Sequence, residues 1–186
     1  GESTVLDLGG HTLAGAAEGY SAAVLDVRAG ELTIKNTHAA GAYDLRIEGG
    51  NGATHDFSHF SKVNLEDGVA IDAHETGNAT LNNVTLLGNA SFSMYDMGVD
   101  SGNIGILLQG TTALDSHTLA FNNKSGNSWK RKVTIDRLTG TDASRLEFMG
   151  GANGDSKKST LIVNSLQGFS GTLRLEEKNA NNPVEA

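Results

Sequence analysis

The chain has 186 residues and a mass of 19.4 kDa, with 24 glycines, one proline, no cysteine and a formal charge of −8. That length suffices for one domain or an elongated stack of repeats, and no apolar run approaches the roughly 20 residues of a membrane-spanning helix. The absence of cysteine excludes disulfides, thiolate catalysis and cysteine-ligated zinc; a pI near 5.1 argues against a nucleic-acid partner, which clustered Lys or Arg would serve.

The chain opens Gly1-Glu2-Ser3 with no charged-then-apolar leader and reads as a mature or excised fragment. Along it, apolar residues recur at intervals of two rather than three and four, which is the period of a strand with one buried face. Apolar–variable–apolar triplets begin at Leu6, Leu25, Leu32, Leu45, Val63, Val69, Val84, Phe92, Ile104, Leu119, Val133, Leu146, Leu161 and Leu173. Aromatic residues make up only 5% of the chain, so aliphatic side chains must fill most of the core.

Leu6, Leu25, Leu45, Val63, Val84 and Ile104 follow one another at gaps of 19, 20, 18, 21 and 20, a repeat-protein period. After Ile104 two strands and two turns occupy about 27 residues, which predicts larger coils there. Connections are rich in Gly, Asn, Asp and Ser, as at Gly49-Gly50-Asn51-Gly52, Gly88-Asn89 and Asn122-Asn123, the residue types that tolerate tight corners. With Pro183 the only proline, every strand keeps its amides for ladder bonds. Glu66–Glu75 is the one stretch with a helical hint. From Glu176 the sequence is polar and aperiodic, so residues 1–175 are expected to form a single domain and 176–186 a C-terminal tail. The expected fold is all-β, a right-handed parallel β-helix, with a β-sandwich or jelly roll as the alternative. Parallel ladders joining Leu6 to Leu25 and then Leu45 are the expected signature; antiparallel pairing of neighbouring triplets would refute it.

Leu6-Asp7-Leu8-Gly9-Gly10-His11-Thr12-Leu13, echoed in Leu114-Asp115-Ser116-His117-Thr118-Leu119, resembles the strand–corner–strand phrase of bacterial right-handed parallel β-helices. Ser165-Leu166-Gln167-Gly168-Phe169-Ser170-Gly171-Thr172-Leu173-Arg174-Leu175 is similar to the autotransporter-associated β-strand repeats of surface-exposed passengers. The resemblance implies a secreted or bacterial outer-surface stalk or adhesin, non-catalytic, meeting glycans or extracellular and matrix proteins. A chain without cysteine suits export through a narrow pore.

Several constellations invite chemistry, and each has a plainer structural reading. His55-Asp56-Phe57-Ser58-His59, with His74-Glu75 downstream, has helical i, i+4 spacing yet follows a glycine loop, so these histidines are expected at strand edges or the surface. Asp100-Ser101-Gly102 lacks a preceding glycine and a partner histidine motif and reads as a turn. Gly19-Tyr20-Ser21-Ala22-Ala23 misses the nucleophile elbow by its last glycine. The glycine loops at 49–52 and 150–155 are imperfect matches to the calcium nonapeptide, with Thr54 where Asp belongs and Asn153 where Gly belongs. No metal or cofactor is therefore expected. Asp7, Asp26 and Arg46 occupy middle positions of first-series triplets and would stack on one face, the arrangement a carbohydrate lyase or hydrolase would need, and this is the alternative function alongside a carbohydrate-binding module. Asn78, Asn83, Asn89 and Asn123 fit the glycan-acceptor pattern, but in an Asn-rich turn protein they are expected to stack inside coils. The single tryptophan lies in Ser128-Trp129-Lys130-Arg131-Lys132, the only basic run of an acidic chain, which makes Trp129, Lys130 and Arg131 the candidate ligand contacts: a rigid apolar platform beside cations, suited to an anionic glycan.

Overall fold

The computed structural model describes residues 3–7, 30–35, 45–48, 54–74, 78–95, 104–123, 131–149 and 159–176. Among them there are fifteen strands and no helix: β1 (Ser3–Asp7), β2 (Glu31–Lys35), β3 (Leu45–Glu48), β4 (Thr54–Phe57), β5 (Lys62–Leu65), β6 (Val69–His74), β7 (Asn78–Asn82), β8 (Val84–Leu86), β9 (Ala90–Tyr95), β10 (Ile104–Ala113), β11 (Thr118–Asn123), β12 (Arg131–Thr139), β13 (Arg145–Met149), β14 (Ser159–Val163) and β15 (Thr172–Glu176). Every ladder between them is parallel. One sheet runs β1-β2-β5-β8-β10-β12-β14, with β4 and β7 joining it through β10; a second runs β15-β13-β11-β9-β6-β3. The chain alternates between the two stacks, so the fold is a parallel β-solenoid, and the absence of antiparallel pairs removes the sandwich alternative.

The winding matches the period read off the first half of the sequence at one step, where Val63 pairs with Val84 21 residues on, and departs from it elsewhere. Leu6 pairs with Ile34, not Leu25, and Ile34 pairs with Leu65. Leu45 lies in the other sheet, beside Ile71, and Leu25 is outside the described residues. Hydrogen bonds between stacked coils join residues 22 to 31 positions apart, so a coil is longer than 20 residues in most of the molecule. Triplets come in two geometric kinds, inner rows of two different sheets, and a spacing measured between kinds is not a coil. The helical hint at 66–75 also fails: Glu66–Gly68 forms a corner and Val69–His74 is strand β6, because Val69 and Ile71, two apart, both point into the core.

Burial explains the triplets. Phe92, Phe121 and Phe148 occupy one inner row of the second sheet, with ring centroids 5.2 Å apart for the first pair and 6.4 Å for the second. Ile106, Val133 and Leu161 form a row of the first sheet, and Leu81, Leu108 and Ile135 the next. Each coil alone encloses little; stacking at about 4.8 Å makes the apolar column continuous and ties its stability to its neighbours.

Corners are stacked as deliberately as strands. Asn83 takes the left-handed conformation at φ 47°; its Nδ2 donates to the Ser61 carbonyl at 2.9 Å, and its Oδ1 accepts from the Thr111 amide at 3.1 Å. One coil further on, Asp136 accepts from the Gly110 amide at 3.1 Å and from Asn164 Nδ2 at 3.3 Å. Gly110, at φ 66°, packs where a Cβ would meet Asn83 Oδ1 at 2.3 Å, so a side chain is excluded by both conformation and space.

Candidate functional site

The basic run leads into β12. Trp129 and Lys130 lie outside the described residues; Arg131 opens β12, aligned with Ile104 and Ser159. Its neighbour Lys132 is exposed, because the fully buried Val133 and Ile135 fix the pleat and turn the alternate positions outward. Two outward rows result: Gly105, Lys132 and Thr160, and beside them Thr80, Leu107, Thr134 and Ile162. Neighbours in a row are about 4.8 Å apart and the rows about 6.6 Å apart. This is a flat lattice of short hydroxyls and two half-buried aliphatic side chains, with an ammonium at one margin.

Sequence reading singled out the basic run but not Leu107 and Ile162. The signal was present as a broken alternation: in Ile106-Leu107-Leu108 and Leu161-Ile162-Val163 the middle, outward position is a large aliphatic residue where the other triplets carry a polar residue or Ala or Gly. What the sequence could not show is that these positions share a face with Lys132, since 55 residues separate them in the chain.

The remaining candidates separate rather than converge. Asp7 is aligned with Lys35, whose Nζ lies 3.6 Å from its carboxylate, while Arg46 belongs to the other sheet and Asp26 is outside the described residues. The proposed stack of Asp7 and Arg46 therefore does not form, because β1 and β3 belong to different sheets. His55 lies on strand β4 and His59 is exposed in the turn after it, so the i, i+4 helical face does not exist. Among the described residues no group of three or more His, Asp or Glu is placed to hold a metal ion. The 19–23 and 100–102 motifs and both glycine loops lie outside the described residues.

The glycan-acceptor asparagines meet a different demand. Asn83 is held as described above. The Asn89 backbone amide donates to Asp67 Oδ1 at 2.8 Å, and Asn89 Oδ1 accepts from the Thr118 amide at 2.8 Å, so this residue links coils from a corner rather than from inside a coil. Ser144 Oγ, on a fully buried side chain, accepts from the Ser116 and Thr141 amides, both at 2.9 Å. No family model, curated protein or solved structure matches the chain. No helix of the described residues is long and apolar enough to cross a membrane.

Proposed function

We propose that this chain is a non-catalytic β-helical stalk of a secreted or bacterial cell-surface protein, in the style of an autotransporter passenger, that meets glycans or extracellular proteins through its flat sheet faces. The observation that carries the reading is the use of its polar side chains. Asn82, Asn83, Asn89, Ser116, Asp136 and Asn164 are bonded to the neighbouring coil, which is how a rod is built. A hydrolase or lyase needs its carboxylates or base converging on a reacting atom, whereas Asp7 and Glu147 instead pair with Lys35 and Arg174 across adjacent strands. Freedom from cysteine and the resemblance of 165–175 to passenger repeats support the extracellular placement.

The proposed recognition element is the face that carries Lys132, Leu107, Thr134 and Ile162, together with Trp129, Lys130 and Arg131, which precede Lys132 in the sequence. A cationic margin on a net negative protein favours anionic glycans, and its contribution is screened over about 8 Å at physiological ionic strength. The test applies the chain to glycan and matrix-protein arrays at two salt concentrations, alongside a chain-scission assay on neutral and acidic polysaccharides. Salt-sensitive binding weakened in Trp129→Ala and Lys132→Ala, without scission, is the expected result. Turnover of any polysaccharide would overturn the non-catalytic reading, and binding unchanged in both variants would remove the face.

A further inference from the structure

The outward side of the first sheet carries an alternation of its own. Along the row Thr80, Leu107, Thr134 and Ile162, hydroxyl-bearing and aliphatic side chains, all half-buried, take turns from coil to coil. Each kind recurs every second coil, about 9.6 Å apart, and the four positions span about 14 Å. The two flanks of the row differ in charge. Toward the strand starts, about 6.6 Å away, the exposed Lys132 stands between Gly105 and Thr160. The same distance toward the strand ends, Asp136 follows Thr134 with its carboxylate on the Gly110 amide and Asn164 Nδ2. The Lys132 flank is also where the two most basic stretches of the sequence lead into the sheet. Trp129-Lys130-Arg131-Lys132 runs into β12 and Lys157-Lys158 into β14, and the first residues of those strands, Arg131 and Ser159, are paired. Asp56, paired with Thr80, holds the next position of the row.

We infer that this row is a track for an extended, β-linked polysaccharide that lies along the solenoid axis and carries an acidic group on alternate sugars only. The inference rests on the glycan-binding reading of the same face and adds to it the class, direction and register of the ligand. A ribbon of β-linked pyranoses turns over at every sugar, so one sugar meets each coil and the disaccharide repeat is close to the two-coil repeat of the row. Sugars over Leu107 and Ile162 bury C–H surface on aliphatic side chains, and those over Thr80 and Thr134 meet hydroxyls that hold the register. The turning-over also selects the charge pattern. Acidic groups on every sugar point to the two flanks in turn, so half of them face the Asp136 side. Acidic groups on alternate sugars all face the Lys132 side, where opposite charges attract. A further acid position at Asp56 closes the track to an anionic chain beyond Thr80, so the contact covers about four sugars.

Titration calorimetry of the full chain at low salt compares three hexasaccharides: a hyaluronan fragment, with a uronate on alternate sugars; a β-1,4-linked polymannuronate fragment, with a uronate on every sugar; and neutral chitohexaose. Hyaluronan is expected to bind tightest, with polymannuronate about tenfold weaker, and the hyaluronan tetrasaccharide should keep most of the affinity that the disaccharide loses. Leu107→Asn and Ile162→Asn each weaken hyaluronan binding about tenfold, while melting curves confirm that the variants are folded. Asp136→Asn, which keeps an oxygen for the Gly110 amide, raises polymannuronate binding about fivefold, a gain that unfolding cannot mimic. Equal affinity for the two acidic polymers overturns the track. So does hyaluronan binding that Lys132→Ala weakens and that Leu107→Asn and Ile162→Asn leave unchanged, and in both cases the glycan reading stands. A chain that binds no glycan at all removes that reading and the track with it.

Discussion

Thr112 is fully buried, and its Oγ1 has no hydrogen-bond partner. It is aligned with Leu138, and the pairing of Ala113 with Thr85 sets it in the same inner row as Val84 and Val63, all fully buried. A hydroxyl there has lost water and gained nothing, a cost of about 1–3 kcal/mol. Thr112→Val substitutes a methyl for the hydroxyl at nearly unchanged shape, so the β-branched fit is kept and the unmade bond disappears. The expected gain is about 1–2 kcal/mol, and at about 2–4 °C per kcal/mol for a chain of this size the melting temperature should rise by about 2–8 °C. Calorimetry and urea unfolding measure it. Thr85→Val serves as the control, because Thr85 is half-buried on the outer face, and the change there should stay within about 0.5 kcal/mol. An unchanged or lowered stability for Thr112→Val would refute the reasoning, because it would mean that the hydroxyl has a partner or that the row cannot accept the methyl.

Asn83→Ala removes two inter-coil hydrogen bonds and forces alanine into the left-handed conformation, an expected loss of about 2–4 kcal/mol in urea unfolding; Asn83→Gly should recover the conformational share and not the hydrogen bonds. Phe121→Ala opens the centre of the Phe92–Phe121–Phe148 stack and should cost about 3–5 kcal/mol, read by chemical denaturation, with Phe121→Leu costing clearly less. Gly88→Ala would bring a Cβ to 2.3 Å from Asp67 Cβ, so the corner must shift and the melting temperature should fall; a rise would show that the two coils are not in contact there. Melts recorded in chelator and in calcium should coincide, since the glycine loops are imperfect and isolated calcium motifs; ligand stabilisation of many degrees on adding calcium would contradict this.

The outward lattice near Lys132 was partly legible. The basic run stands out by composition, and Leu107 and Ile162 are large aliphatic residues at middle positions that elsewhere carry a polar residue, Ala or Gly. Their common face was not legible, because it depends on 27- and 28-residue separations between Ile106, Val133 and Leu161 that only the stacked register reveals. The stack of Asp7 with Arg46 was misread for the same reason.

Local chemistry determined the strands. Two-residue alternation of Val, Leu, Ile and Phe with polar residues specifies a half-buried strand, and Asn or Gly between triplets specifies a corner, so the all-β class, the aliphatic core and the corner at Gly88-Asn89 follow from sequence alone, while the corner role of Asn83 does not. Which strand lies beside which is a different kind of information. Leu32, Ile34, Val63 and Leu65 carry interchangeable side chains, and apart from the phenylalanines of the second sheet little in a triplet distinguishes one sheet from the other. Tertiary structure decided the assignment through loop length and corner bonds such as Asn83 to Ser61 and Thr111, which lock the coil-to-coil offset. An apolar row is nearly indifferent to which aliphatic residue enters it, while a hydrogen bond between corners accepts only one alignment.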